Sequence, residues 1–147
     1  MITEEGYLAN AIRFAMDASR VHDWPDPSGY TGQMRNVGRE LGHEVAKVMK
    51  CDNLVAFSMK FSGFWAENGL GQMTIMPGEP IAIKMSNCYD CTEQKINLRQ
   101  TRCTFKLIFL KTVYEDVMDR QVVVKETECC KSMARNCRFT VTPNLTR

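Results

Sequence analysis

The 147-residue chain is poor in histidine, with His22 and His43 its only imidazoles, and poor in the short motifs that accompany enzymes. It has no Gly-x-Ser-x-Gly elbow to present a serine nucleophile, no glycine loop of the phosphate-cradling kind, and no nicotinamide or flavin fingerprint. Two isolated histidines do not make a His-rich open metal site. No catalytic constellation is visible, so enzyme chemistry is not expected. An excess of one charge is also lacking: 19 Lys and Arg against 17 Asp and Glu leave a net charge of +2, which predicts neither a nucleic-acid groove nor an acidic partner. No stretch approaches the roughly 20 apolar residues of a membrane helix, and the Met-Ile-Thr-Glu-Glu start lacks the basic segment and apolar run of a signal peptide. These absences point to a cytoplasmic protein with no membrane span.

What is present fits one globular domain over residues 1–147. Hydrophobic residues make up 44% of the chain and charged residues 24%, and a domain of this size buries about two thirds of its unfolded surface. The seven cysteines argue for metal or redox chemistry over a disulfide framework in such a chain, and their odd number leaves a thiol over in any full pairing. The ten methionines suit either an adaptable apolar binding surface or the filling of core gaps. Asn144-Leu-Thr reads as a glycosylation acceptor only in a secreted protein and carries no weight here.

Taken in order, Thr3 caps a helix whose stripe of Tyr7, Leu8, Ile12, Phe14, Ala15 and Ala18 runs to about Val21. His22 to Gly29, with two prolines and a glycine, breaks it and forms a loop in which Trp24 is either a lid over a pocket or a residue packed on the surface. A second helix covers about Tyr30 to Met49. Its Gly32, Gly38 and Gly42 each cost up to about 1 kcal/mol against Ala, which suggests close packing, either within the chain or at a homodimer seam. A third helix, Asn53 to about Asn68, sets Phe57, Phe61, Phe64 and Trp65 on one side as a wall of core or of a pocket, and Gly69 ends it with a left-handed cap. Gln72–Met76 and Ile81–Ser86 then make a hairpin about Pro77-Gly78-Glu79-Pro80. An amphipathic helix follows Cys103, with Phe105, Ile108, Phe109, Val113 and Val117 on its stripe. Strands over Gln121–Glu126 and Cys137–Thr142 complete the pattern. The expected class is α+β, a four-stranded antiparallel sheet packed with about four helices.

Two groups of cysteines carry candidate chemistry. Cys103 at a helix start, Glu126 at a strand end, Cys129 in a connection and Cys137 at a strand start have uneven spacing that no periodic core requires. Zinc would explain their convergence, since four protein ligands of thiolate and carboxylate type make a closed, structural site. Such a set sums to minus two with the ion, and Arg102, Lys125, Lys131, Arg135 and Arg138 are cations close by in sequence to offset it. The other reading is that these are ordinary buried thiols. Cys88 and Cys91 form a CxxC pair at the end of the hairpin: half of an alternative zinc site with Cys129 and Cys137, a redox pair, or an accessory. The polar segment after it does not suit thioredoxin-type chemistry, which wants a helix N-terminus there. Cys51 and Cys130 read as free thiols.

The stretch from Cys103-Thr-Phe, through Val-Lys-Glu126-Thr-Glu-Cys129, to Cys137-Arg-Phe-Thr-Val resembles the C-terminal signature of the 4-vinyl-reductase domain family. That family includes the effector-sensing domains of phenol-responsive transcription activators and stand-alone archaeal proteins described as hydrocarbon-binding. The resemblance implies zinc on Cys103, Glu126, Cys129 and Cys137, because the phenol sensors space their ligands in that order. It departs at Thr104, where His is common, and at Lys106, Phe109 and Lys111, along a helix where family members carry small residues. The glycine-spaced second helix is similar to the family's as well and favours a homodimer. The implied function is a zinc-stapled module that binds a small hydrophobic or aromatic molecule among Phe57, Phe61, Trp65, Phe105 and Phe109. The chain shows no helix-turn-helix or ATPase motif, so a sensor of this kind would signal through a separate output protein. Two other readings stand beside it: a homodimeric scaffold whose cavity is filled by its own side chains such as Phe109 and Lys111, and a reductase accessory in tetrapyrrole metabolism.

Overall fold

A computed structural model describes residues 3–21, 30–88, 104–128 and 136–144. Helices α1 (Glu4–Val21), α2 (Tyr30–Met49) and α3 (Leu54–Glu67) precede the hairpin of β1 (Gln72–Met76) and β2 (Ile81–Ser86). Helix α4 (Thr104–Met118) then leads into β3 (Val122–Glu128) and β4 (Asn136–Pro143). The four strands form one antiparallel sheet in the order β1-β2-β4-β3. The expected α+β class and the strand and helix set hold among the described residues.

Local chemistry sets the element ends. The Thr3 hydroxyl accepts from the Gly6 amide at 3.0 Å, and Asn53 Oδ1 accepts from the Ala56 amide at 2.8 Å, so each cap satisfies an otherwise orphaned helix donor. Gly69, at φ +71°, takes the left-handed conformation that ends α3. Strand β3 runs to Glu128, beyond the expected Glu126, because a register irregularity between Glu126 and Glu128 lets Glu128 pair with Arg138. Their side chains join as well, with Arg138 Nε 2.8 Å from Glu128 Oε2.

The core lies on one face of the sheet, where Met73, Ile81, Ile83, Met85, Val122, Cys137, Phe139 and Val141 are buried. Strand alternation puts them there: β2 reads buried at 81, 83 and 85, and β4 at 137, 139 and 141. Helix α4 is the central element. Phe105, Lys106, Phe109, Leu110, Thr112, Val113 and Tyr114 are all buried, so its buried face is broader than the single apolar stripe its sequence suggested, with Lys111 and Asp116 left exposed.

Helix α2 covers one side of α4, and the glycine spacing finds its cause in that crossing. A Cβ on Gly38 would lie 3.2 Å from Ile108 Cγ2, and one on Gly42 would lie 2.7 Å from Thr112 Cβ and 3.0 Å from the Phe109 carbonyl oxygen. Gly38 and Gly42 therefore serve contact within the chain and lend no support to a dimer seam. Gly42→Ala should lower stability by about 1–3 kcal/mol through overpacking, even after the helix-propensity gain of about 1 kcal/mol. Chemical denaturation checks this, and an unchanged or more stable variant would mean that the helices are not held so close.

Candidate functional site

Two side-chain groups draw on the first turns of α4. The first joins its opening turn to β3 and β4. Cys137 begins the core-facing series of β4 and is fully buried. Glu126 is half-buried on β3 opposite Phe139, a diagonal neighbour of Cys137 across the strand pair. Lys106, in the first turn of α4, is only 1% exposed, and its Nζ lies 3.8 Å from Cys137 Sγ. The sequence pointed instead to basic residues around the strands. Of these, Lys125 and Arg138 are exposed, and Arg138 is held by Glu128.

Cys103 directly precedes α4 and Cys129 directly follows β3, and both lie outside the described residues, as do Trp24, Cys91 and Cys130. Among the described residues no group of three or more metal-ligating side chains occurs. The described part of the expected donor set nonetheless fits zinc in its chemistry: a buried thiol, a half-buried carboxylate on the same strand pair, and a buried cation in contact with the thiol. Cys88, also buried, follows β2 at the end of the sheet where Ser86 pairs with Asn136. Of the alternative donor set built on the CxxC pair, Cys88 and Cys137 therefore lie toward the same end of the sheet. Cys51, expected to be a plain thiol, donates to the Met49 carbonyl at 3.3 Å.

The second group is aromatic. Phe57, Phe61, Trp65, Phe105 and Phe109 are all buried and gather around one point. Phe61 lies at the centre, with ring centroids 5.3 Å from Phe57, 6.2 Å from Trp65 and 6.2 Å from Phe109. Phe105 stacks on Phe109 at 5.6 Å. The three- and four-residue spacing in α3 puts its rings on one face, and α4 supplies the opposing pair. Lys111, by contrast, is exposed and pairs with Glu115 at 3.1 Å, so it fills no cavity.

Sequence reasoning missed Tyr114, whose ring contacts both Phe57 and Phe61. Its i+5 offset from Phe109 hid it. Burial pushes the Tyr114 phenol well above its ordinary pKa, with the Ser58 hydroxyl acting in the opposite sense, so it stays neutral throughout the physiological range. No hydrogen bond of full geometry forms to its hydroxyl, and the buried Trp65 indole nitrogen likewise has no hydrogen-bond partner among the described residues. Between α3 and the end of β1, Val55, Ser58, Met59, Ser62, Ile75 and Pro77 line a depression of about 120 Å³.

No family model matches the chain. Two uncharacterised proteins of Methanocaldococcus jannaschii are related in sequence: MJ0745, 28% identical over 53% of this chain, and MJ1642, 26% identical over 69% of it. The matched stretches make up 42% and 60% of those relatives' lengths. Among solved structures, the phenol-responsive sensory domain of the transcription activator PoxR, determined with phenol, aligns with a TM-score of 0.64 at 12% identity, over 97% of this chain and 76% of its own. A vinyl-4-reductase family protein from M. jannaschii aligns with a TM-score of 0.58 at 18% identity, over 90% of this chain and 92% of its own. A trafficking protein particle complex subunit 3 from Naegleria fowleri, covalently bound to palmitic acid, aligns at 0.57 with 10% identity over 95% of each chain. The chain thus has the fold shared by a vinyl-4-reductase family protein and a phenol-responsive sensory domain.

Proposed function

We propose that the chain is a zinc-containing binding module for a small hydrophobic or aromatic molecule, with a sensory or regulatory role. The observation that carries this reading is the aromatic cluster around Phe61 with the buried Trp65 indole nitrogen inside it, lacking a hydrogen-bond partner among the described residues. A buried indole N–H in a finished core ordinarily has an acceptor. A ligand with an apolar body and one acceptor atom, lodged among these rings, would supply it. Zinc would be held by Cys103, Glu126, Cys129 and Cys137. A four-ligand site is closed, so its contribution is a structural tie between the head of α4 and the β3–β4 pair. The homodimer and the separate output protein belong to the same proposal, as the route from an occupied pocket to a response.

A second reading has its own observation. The rings lie at contact distance from one another, as they would in a scaffold whose cavity is filled by its own side chains and whose surface docks a partner protein. Thermal unfolding of the full chain with a panel of phenols, hydrocarbons and lipids separates the two. A ligand at one hundred times its dissociation constant adds about 2.7 kcal/mol, which raises the melting temperature by roughly 5–10 °C in a domain of this size. A shift confined to one chemical class supports the binding module. Identical melting with every member of the panel contradicts it and favours the scaffold.

A further inference from the structure

We propose that Lys106 is the internal counter-cation of the zinc centre, donating to the Cys137 thiolate and removing one unit of the site's excess negative charge. The inference rests on the zinc reading above. Its starting point is a lysine where lysine is unfavourable. Lys106 is 1% exposed, and burying an ammonium is costly unless an anion faces it. It also occupies the first turn of α4, the positive end of the helix dipole, where a cation is disfavoured. Negative charge close to Nζ offsets both costs. The structure places Cys137 Sγ 3.8 Å away, within range of an N–H···S hydrogen bond.

The position supports the same assignment. Lys106 is three residues beyond Cys103 in the sequence and lies in the turn of α4 that faces Cys137 on β4. Zinc with three thiolates and a carboxylate carries a formal charge of minus two, and thiolate ligands are stabilised by hydrogen-bond donors around the metal. The sequence offered Lys125 and Arg138 as compensating cations, but both are exposed, and Arg138 is engaged by Glu128. Among the described residues, Lys106 is the buried cation on the core side of this strand pair.

The test uses the full chain and its Lys106→Met, Lys106→Gln and Lys106→Arg variants, with circular dichroism to establish that each folds. Zinc transfer to a chromophoric chelator is followed by absorbance. The same proteins loaded with Co²⁺ report the thiolate-to-metal charge-transfer band. Lys106→Met and Lys106→Gln should release metal about ten- to a hundredfold faster, the usual range for loss of an outer-shell partner. Their band should move to lower energy, since a thiolate without its N–H donor is more easily oxidised. Lys106→Arg, which keeps the charge, should release metal within a few-fold of the parent rate. If Lys106→Met does not fold, the smaller change to Gln carries the comparison. Folded neutral variants with parental release and an unmoved band overturn the role of Lys106 and leave the zinc reading standing. A parent chain that binds no zinc when metal is supplied removes the zinc reading, and this inference falls with it.

Discussion

Phe61→Ala should lower the stability of the domain by about 3–5 kcal/mol, the range for deleting a large buried ring. Phe61 is fully buried and touches Phe57, Trp65, Phe109 and Tyr114, so its loss removes the shared contact of four other rings. At roughly 2–4 °C per kcal/mol for a domain of this length, the melting temperature should fall by about 10 °C. Phe61→Leu, which retains much of the volume, should cost markedly less. Denaturant titration of the two variants checks the order. A small cost for Phe61→Ala would show that the cluster does not hold α3 against α4. Addition of benzene or phenol to a folded Phe61→Ala protein offers a further readout, since an apolar cavity of ring size accepts such molecules.

Cys137→Ser is expected to abolish zinc binding and to lower thermal stability by more than the deletion of a single core methyl group. Serine is nearly isosteric, but its hydroxyl is a poor metal ligand, and the thiol it replaces is fully buried at the start of β4. A zinc ion held as proposed would contribute to folding directly, because the unfolded chain holds no preformed site. Elemental analysis of protein purified without added zinc should therefore give one zinc per chain for the parent and none for Cys137→Ser. Cys103→Ser should lose the metal as well, and Cys88→Ser should keep it. Zinc retained in Cys103→Ser but lost in Cys88→Ser would assign the metal to the CxxC set, which shares Cys137.

Much of the architecture was legible because the signals were local. The hairpin strands Gln72–Met76 and Ile81–Ser86 match their expected bounds, since alternation and a Pro-Gly-containing turn delimit them. Thr3, Asn53 and Gly69 mark helix ends through side-chain acceptors and a left-handed backbone, both written in single residues. The placement of β4 between β2 and β3 is a long-range choice, and no local pattern encodes it. Helix α4 misled for a related reason. Its charged and polar positions suggested a solvent face, yet Lys106 and Thr112 are buried, Lys106 against Cys137 and Thr112 against the α2 glycine. The glycine spacing of α2 told of a close crossing but not of its partner, because a dimer seam and an intramolecular contact ask for the same small residues. The clustering of Phe57, Phe61, Trp65, Phe105 and Phe109 was readable from their spacing in α3 and α4. The depression at Val55 and Met59 was not, since exposed apolar residues at i and i+4 are indistinguishable in sequence from ones that face a core.

The claim that these rings receive a ligand is tested most directly at Trp65 itself. The chain has two tryptophans, Trp24 and Trp65, so a Trp24→Phe background isolates the indole in the cluster. Its fluorescence is titrated with phenols, hydrocarbons and fatty acids at constant protein concentration. The account predicts a saturable change in Trp65 emission for one of these classes, abolished by Trp65→Phe and weakened by Phe109→Ala. Unchanged emission across the whole series, from folded and metal-loaded protein, would contradict it and leave the aromatic cluster as core.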